Sequence, residues 1–272
     1  MQSNSDIFML EFPEAKSVVV SGDIHGDYNL LVYKMCVQYQ MTDTILIVAG
    51  DCGFGFEQKN YYDEIAKKNS KRMNQANNVI VFVRGNHDNP AYFDGKVYKH
   101  KRFVAVPDYS LIKACRHTIL CVGGAVSVDR TPRIKEWEKK IKKAYHYTHN
   151  TPIDTPFAQN YYWHNEAPVY DEEMLDKINE VYAIDTVITH TAPSFCELRS
   201  KTGLNSWEKE DETLIADVEL ERAVMDLIYD KLRILNNPLS HWFYGHFHQS
   251  WHSVINDIQF CMLDIMEFRE LR

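Results

Sequence analysis

A chain of 272 residues with 45% hydrophobic and 25% charged residues sits at globular averages, so it can bury a sizeable core and disorder is not expected. Its formal net charge of -8 argues against a broad nucleic-acid surface, and no apolar stretch approaches membrane-spanning length. The six cysteines form no CxxC pair, and Met1 to Phe12 lack the basic and apolar regions of a signal peptide, so reduced thiols and a cytoplasmic location are expected.

In chain order, the first third reads as a βαβαβ run. Apolar, β-branched stretches predict strands at Ser17 to Ser21, Thr44 to Val48 and Val79 to Val83, with helices from about Tyr28 to Gln40 and Gln58 to Gln75 between them. Asp23 and Asp51 are 28 residues apart, and Asp51 and Asn86 are 35 apart. Those spacings fit the roughly 30 residues of a strand, a crossover helix and a return strand, so each crossover brings the next polar residue back to one sheet edge. Short segments near Phe103 to Val106, Ser110 to Ala114 and Thr118 to Val122 are expected to build a second sheet region.

From about 129 to 180 the periodicity weakens and Pro, Tyr, Trp and charge accumulate, which suggests an inserted cap within a single domain spanning residues 1–272. A helix from about Glu210 to Leu235 carries Leu214, Val218, Val224, Leu227, Ile228 and Leu232 at helical spacing, a stripe expected in the core. Strand-like pieces at Trp251 to Ile255 and Ile258 to Leu263 finish the chain.

Five apolar runs each stop at a metal-ligand residue type. Val18 to Val20 precedes Asp23 and His25, Ile45 to Val48 precedes Asp51, Val79 to Val83 precedes Asn86, Val187 and Ile188 precede His190, and Trp242 to Tyr244 precedes His246 and His248. In an open α/β sheet, ligands gather at the carboxyl ends of such strands, so these donors are expected to converge. The two oxygens of Asp51 can bridge two cations about 3.5 to 4 Å apart. Mixed oxygen and imidazole donors suit zinc, iron or manganese and point away from calcium. A dinuclear metal hydrolase is the function this pattern favours.

The series GDIHG at 22 to 26, GDCG at 50 to 53, GNHD at 85 to 88, TH at 189 to 190 and GHFH at 245 to 248 resembles the signature of the calcineurin-like metallophosphoesterases. The resemblance implies an α/β fold, a four-layer α/β/β/α sandwich of two mixed sheets. It implies two divalent ions, one held by Asp23, His25, Asp51 and His248, the second by Asp51, Asn86, His190 and His246. It gives His87 the role of general acid and makes Arg84 a candidate phosphate clamp, since a guanidinium makes bidentate contacts to phosphate. The motif departs from the phosphoprotein phosphatase branch after Asp51, where Cys52-Gly53-Phe54-Gly55 lacks the carboxylate that orients the histidine in that branch.

The expected chemistry is in-line attack on a phosphoester by a water that two cations acidify, with His87 protonating the leaving oxygen. The substrate is expected to be a mono- or diester, with a nucleotide-like ester among the candidates. A Ser/Thr-type phosphoprotein phosphatase and a catalytically silent metal-binding scaffold are the alternatives. No membrane or extended nucleic-acid partner is expected, and oligomeric state is not legible. Within the cap, Arg130 to Lys143 holds seven basic residues against Glu136 and Glu138, a run that either overhangs the metal edge or forms a solvated helix face.

Overall fold

The computed structural model describes residues 7–148, 157, 159–198 and 204–272. The chain opens with β1 (Met9–Phe12) and runs through β2 (Ser17–Ser21), α1 (Tyr28–Tyr33), β3 (Thr44–Ala49), α2 (Lys59–Gln75) and β4 (Val79–Val83). Strands β2, β3 and β4 pair in parallel. They read as unbroken apolar runs because both faces are covered. Val19, Leu46, Val48, Ile80 and Phe82 pack with Leu31 of α1 and Ile65 of α2. Their neighbours Val18, Val20, Ile45, Ile47, Val79 and Val81 pack between the two sheets. That is the two-residue alternation of a strand buried on both sides.

Next come β5 (Lys99–His100), β6 (Phe103–Ala105), β7 (Ser110–Ala114), β8 (His117–Val122), α3 (Arg130–Thr148), α4 (Glu172–Asn179) and β9 (Thr186–Thr189). The chain ends with α5 (Leu204–Glu208), α6 (Leu214–Ile234), β10 (His241–Tyr244), β11 (Trp251–Ile255), β12 (Ile258–Met262) and β13 (Phe268–Leu271). One sheet has the order β13-β2-β3-β4-β6-β5 and the other β1-β7-β8-β9-β10-β12-β11. Each mixes parallel and antiparallel pairs. Helices cover the outer faces: Leu175 of α4 and Met225, Ile228 and Leu232 of α6 share a core with Leu120, Val187, Trp242 and Phe260. The result is the expected four-layer α/β/β/α sandwich.

Some expectations are corrected. The segment at Phe103 to Ala105 joins the first sheet, pairing in parallel with β4, rather than the second. Its Phe103 and Ala105 face the helix-side core while Val104 faces the middle layer. The helix expected from Tyr28 to Gln40 stops as an α-helix at Tyr33 and widens into a π turn over Lys34–Gln38. That turn carries Lys34, whose ammonium reaches the Met266 carbonyl and lies 5.0 Å from the Phe268 ring centre. On α6, Leu227 is 48% exposed. At about 3.6 residues per turn it falls on the far side of the face defined by Met225, Ile228 and Leu232. Residues 130–148 form a helix that the weak periodicity did not announce. Residues 149–156 and 158 of the expected cap lie outside the described residues.

Candidate metal centre

The carboxyl ends of β2, β3, β4, β9 and β10 meet at one edge, and the turns that follow them carry the expected ligands. Backbone geometry there is unusual. His25, Asp51, His246 and His248 have φ of 45, 45, 69 and 51°, a left-handed region in which non-glycine residues cost about 1 kcal/mol or more each. Local hydrogen bonds hold them. The N–H groups of Ile24 and His25 donate to the Asp51 carbonyl at 3.2 and 2.8 Å. His246 N–H donates to Asp23 Oδ1 at 2.9 Å, and His87 N–H donates to Asp51 Oδ1 at 2.9 Å. Two glycines permit this density: a Cβ on Gly245 would sit 2.2 Å from Asp23 Oδ1, and one on Gly85 would sit 2.0 Å from Asp51 N.

Ligand atoms of Asp23, His25, Asp51 and His248 all lie within 4.8 Å of one another. His25 Nε2 and His248 Nε2 are 3.0 Å apart, and His248 Nε2 is 3.0 Å from Asp23 Oδ2. That Asp23 oxygen is buried and receives no well-directed hydrogen bond among the described residues. A buried carboxylate oxygen without a donor is costly, and here imidazole nitrogens converge around it. This donor set fits a divalent cation.

A second group adjoins it through Asp51. His190 is fully buried and donates from Nδ1 to the Ala49 carbonyl at 2.8 Å, which turns Nε2 inward. There Nε2 lies 3.3 Å from Asp51 Oδ1 and 2.9 Å from Asn86 Oδ1. The His246 ring stands 4.9 Å from that of His190, edge to face. Asp51 thus presents one oxygen to each group, since its Oδ2 lies 4.0 Å from His25 Nδ1. Burial alone raises the Asp51 carboxyl, but His190 and His87 outweigh it and hold the carboxyl well below the usual range. Burial likewise lowers His190, yet the Asp51 and Asp23 carboxylates push it up to about 9. The edge therefore attracts positive charge.

His87 stands beside this cluster, with Nε2 4.0 Å from Asp51 Oδ2 and Nδ1 3.2 Å from the Tyr161 carbonyl oxygen. A cavity of about 710 Å³ opens here, lined by His25, Asp51, Asn86, His87, His246 and His248 together with Arg133, Tyr161 and Phe247.

Arg84 departs from its expected role. It is 5% exposed and does not line the cavity. Its guanidinium donates to Asp108 Oδ2 at 2.9 Å and to the Glu166 carbonyl at 2.7 Å, with longer contacts to the carbonyls of Asn165, Gly123 and Ala167. These groups occupy its donors and tie it to the strap 159–167. Among the described residues, the arginine that lines the cavity is Arg133. One of its Nη atoms is 2.7 Å from Asp129, and its buried Nε has no hydrogen-bond partner among the described residues. Other members of the basic run are paired: Arg130 with Asp211 and Asp217, Lys135 with Glu210, and Lys140 with Glu136. Much of the run is an ion-paired helix face.

Sequence reasoning missed three residues. Asp88 is buried and accepts from the N–H groups of Cys52, Gly53, Phe54 and Gly85, which ties the turn after β3 to the turn after β4. Burial and the Asp51 charge raise its carboxyl to about 6. Its position in Gly85-Asn86-His87-Asp88 was the available signal. Ser127 and Glu166, which stand behind Asn86, follow no motif. Burial raises the Glu166 carboxyl to about 8, against the Ser127 hydrogen bonds that lower it.

Residues 16–250 match the family model described as calcineurin-like phosphoesterase. No curated protein matches the sequence. Among solved structures, the chain is similar to TT1561 of Thermus thermophilus, with a TM-score of 0.49 and 10% identity over 92% of this chain and 90% of that one. It is similar to a dimetal phosphatase from Danio rerio, with a TM-score of 0.47 and 10% identity over 93% and 88%. It is similar to the phosphopantetheinyl hydrolase of Mycobacterium tuberculosis, with a TM-score of 0.38 and 13% identity over 92% and 89%.

Proposed function

This chain belongs to the calcineurin-like phosphoesterase family, and from that premise we propose that it is a phosphoric ester hydrolase working with two divalent cations at the sheet edge. Asp23, His25, Asp51 and His248 hold one cation, and Asp51, Asn86, His190 and His246 hold the other. The observation that carries this reading is the placement of Asp51, whose two oxygens face the two histidine groups. Four imidazoles in the donor set favour manganese, iron or zinc. When bound, such ions neutralise phosphoryl charge and lower the pKa of water into the neutral range.

The chain's own residues supply the rest. His87 delivers a proton from Nε2 to the departing ester oxygen, while its Nδ1 stays on the Tyr161 carbonyl. Arg133, which lines the same cavity, binds an anionic oxygen of the substrate. The Phe56 and Tyr161 rings, 4.8 Å apart, stand beside it and suit a planar group next to the phosphoryl, as in a nucleotide-like ester. The cap expected at about 129 to 180 contributes Arg133 and Tyr161 to this cavity. Among the described residues no helix is long and apolar enough to cross a membrane. The six cysteines are free, a state that suits a cytoplasmic enzyme.

The test is a panel of mono-, di- and pyrophosphate esters assayed with protein stripped of metal and then reconstituted with manganese, iron or zinc. Hydrolysis that depends on the cation supports the reading. Full activity after exhaustive chelation overturns it.

A further inference from the structure

Asn86 has two unlike ends, and only its oxygen can hold a cation. Its Oδ1 points to His190 Nε2 at 2.9 Å, while its Nδ2 donates to Ser127 Oγ at 2.8 Å. A hydroxyl that accepts from Asn86 must send its own hydrogen elsewhere. That hydrogen goes to Glu166 Oε2 at 2.5 Å, and the Ser127 N–H donates to Glu166 Oε1 at 2.8 Å. Asn86, Ser127 and Glu166 are 2%, 2% and 3% exposed, so bulk water does not compete for these bonds. Glu166 is fixed in turn through its backbone, whose carbonyl accepts from Arg84 at 2.7 Å and from Ala125 N–H at 3.2 Å.

We propose that Glu166 is a positioning residue for the second cation: it directs the Ser127 hydroxyl, which in turn directs the Asn86 amide so that oxygen rather than nitrogen faces the metal edge. The proposal rests on the two-cation reading above. Its physical basis is the direction of each hydrogen bond. Both carboxyl oxygens of Glu166 carry lone pairs that accept, and Ser127 offers two donors to match. An amide at position 166 accepts at one end only. If that end keeps the Ser127 N–H, its NH₂ points at Ser127 Oγ, the hydroxyl hydrogen turns toward Asn86, and the Asn86 amide is driven to present nitrogen to the cation. If it keeps the hydroxyl instead, its NH₂ opposes the Ser127 N–H.

Manganese binding to the full chain tests this by titration calorimetry and elemental analysis, independently of turnover. Wild-type protein is expected to take up two ions per chain. Glu166→Gln is expected to weaken the second ion about 10- to 100-fold, the usual effect of losing a partner that orients a ligand, and to leave the first unchanged. Ser127→Ala should weaken the same ion, and the double variant should lose little more than either single one. Adding Asn86→Asp to Glu166→Gln should restore the second ion, because a carboxylate has oxygen at both ends and accepts the reversed hydroxyl. Wild type that binds one ion overturns the two-cation reading, and the positioning role with it. Wild type that binds two ions while Glu166→Gln binds both as tightly overturns the positioning role alone. Fully additive losses, loss of both ions in Glu166→Gln, or failure of Asn86→Asp to restore the second ion also overturn it.

Discussion

His87 Nδ1 lies 3.2 Å from the carbonyl oxygen of Tyr161, so a backbone group of the strap 159–167 sets the tilt of a side chain on the turn after β4. Cys52 and Gly53 follow Asp51 where a phosphoprotein phosphatase-like motif would bring a carboxylate to the histidine. Here the group that reaches the ring nitrogen is the Tyr161 carbonyl, from another part of the chain. Because Nδ1 is committed to it, Nε2 is the nitrogen left facing Asp51.

If His87 protonates the leaving oxygen, His87→Ala should slow alkyl phosphate esters by about 10² to 10⁴ and nitrophenyl esters far less, since a good leaving group needs no proton. Steady-state rates on paired substrates, with metal content measured alongside, check this. Equal losses on both substrates would make His87 a positioning group for phosphate or metal.

A shared carboxylate makes a distinct prediction about binding. Asp51→Asn should weaken both cations, whereas His248→Ala should weaken one, because His248 touches the Asp23 side of the cluster. Elemental analysis after dialysis gives the stoichiometry. Similar, mild losses from both variants would argue against the bridge.

The strand ends were legible because β2, β3, β4, β9 and β10 are buried on both faces, so each reads as an apolar run that stops where the ligand begins. The supporting groups were not. Ser127 meets Asn86 from 41 residues away, and Glu166 reaches it through Ser127 from 80 residues away, with no periodicity to place them. The surroundings of Arg84 were not legible either, because a guanidinium after a strand has the same sequence pattern whether it meets phosphate or a carbonyl cluster. Leu227 was misassigned because an apolar residue near a helical stripe does not reveal which side of the stripe it occupies.

Removal of metal should make stability depend on pH in a defined direction. The Asp51 and Asp23 carboxylates outweigh burial and raise His190 from 6.5 to about 9. A histidine raised on folding contributes stability that is complete below its unfolded pKa and is lost as pH rises through the folded value. Chelated protein should therefore lose thermal stability between about pH 6.5 and 9. Reconstituted protein should lose less, because bound cations supply the charge that the proton otherwise provides. Calorimetric scans across this range, with and without chelator, measure the difference. Parallel curves would mean that His190 carries no such proton in the absence of metal.

Arg84 and Arg133 should separate stability from substrate binding. Arg84→Ala removes a buried guanidinium from Asp108 and from the strap carbonyls, a loss of about 3 kcal/mol or more, and should lower Tm clearly. Arg133→Ala breaks the partly exposed pair with Asp129, worth about 0 to 1 kcal/mol, and a cation–π contact with the Tyr161 ring at 5.9 Å, worth about 0.5 to 1 kcal/mol, so Tm should move little. Its effect should instead appear in KM, raised about 10- to 100-fold for an anionic ester, since a hydrogen bond to a charged group contributes about 1.5 to 3 kcal/mol. Lysine at position 133 should recover part of that loss, because it restores the charge without the planar fork. If Arg84→Lys raises KM at unchanged Tm while Arg133→Ala leaves KM alone, the phosphate contact belongs to Arg84 and the strap is held by something else.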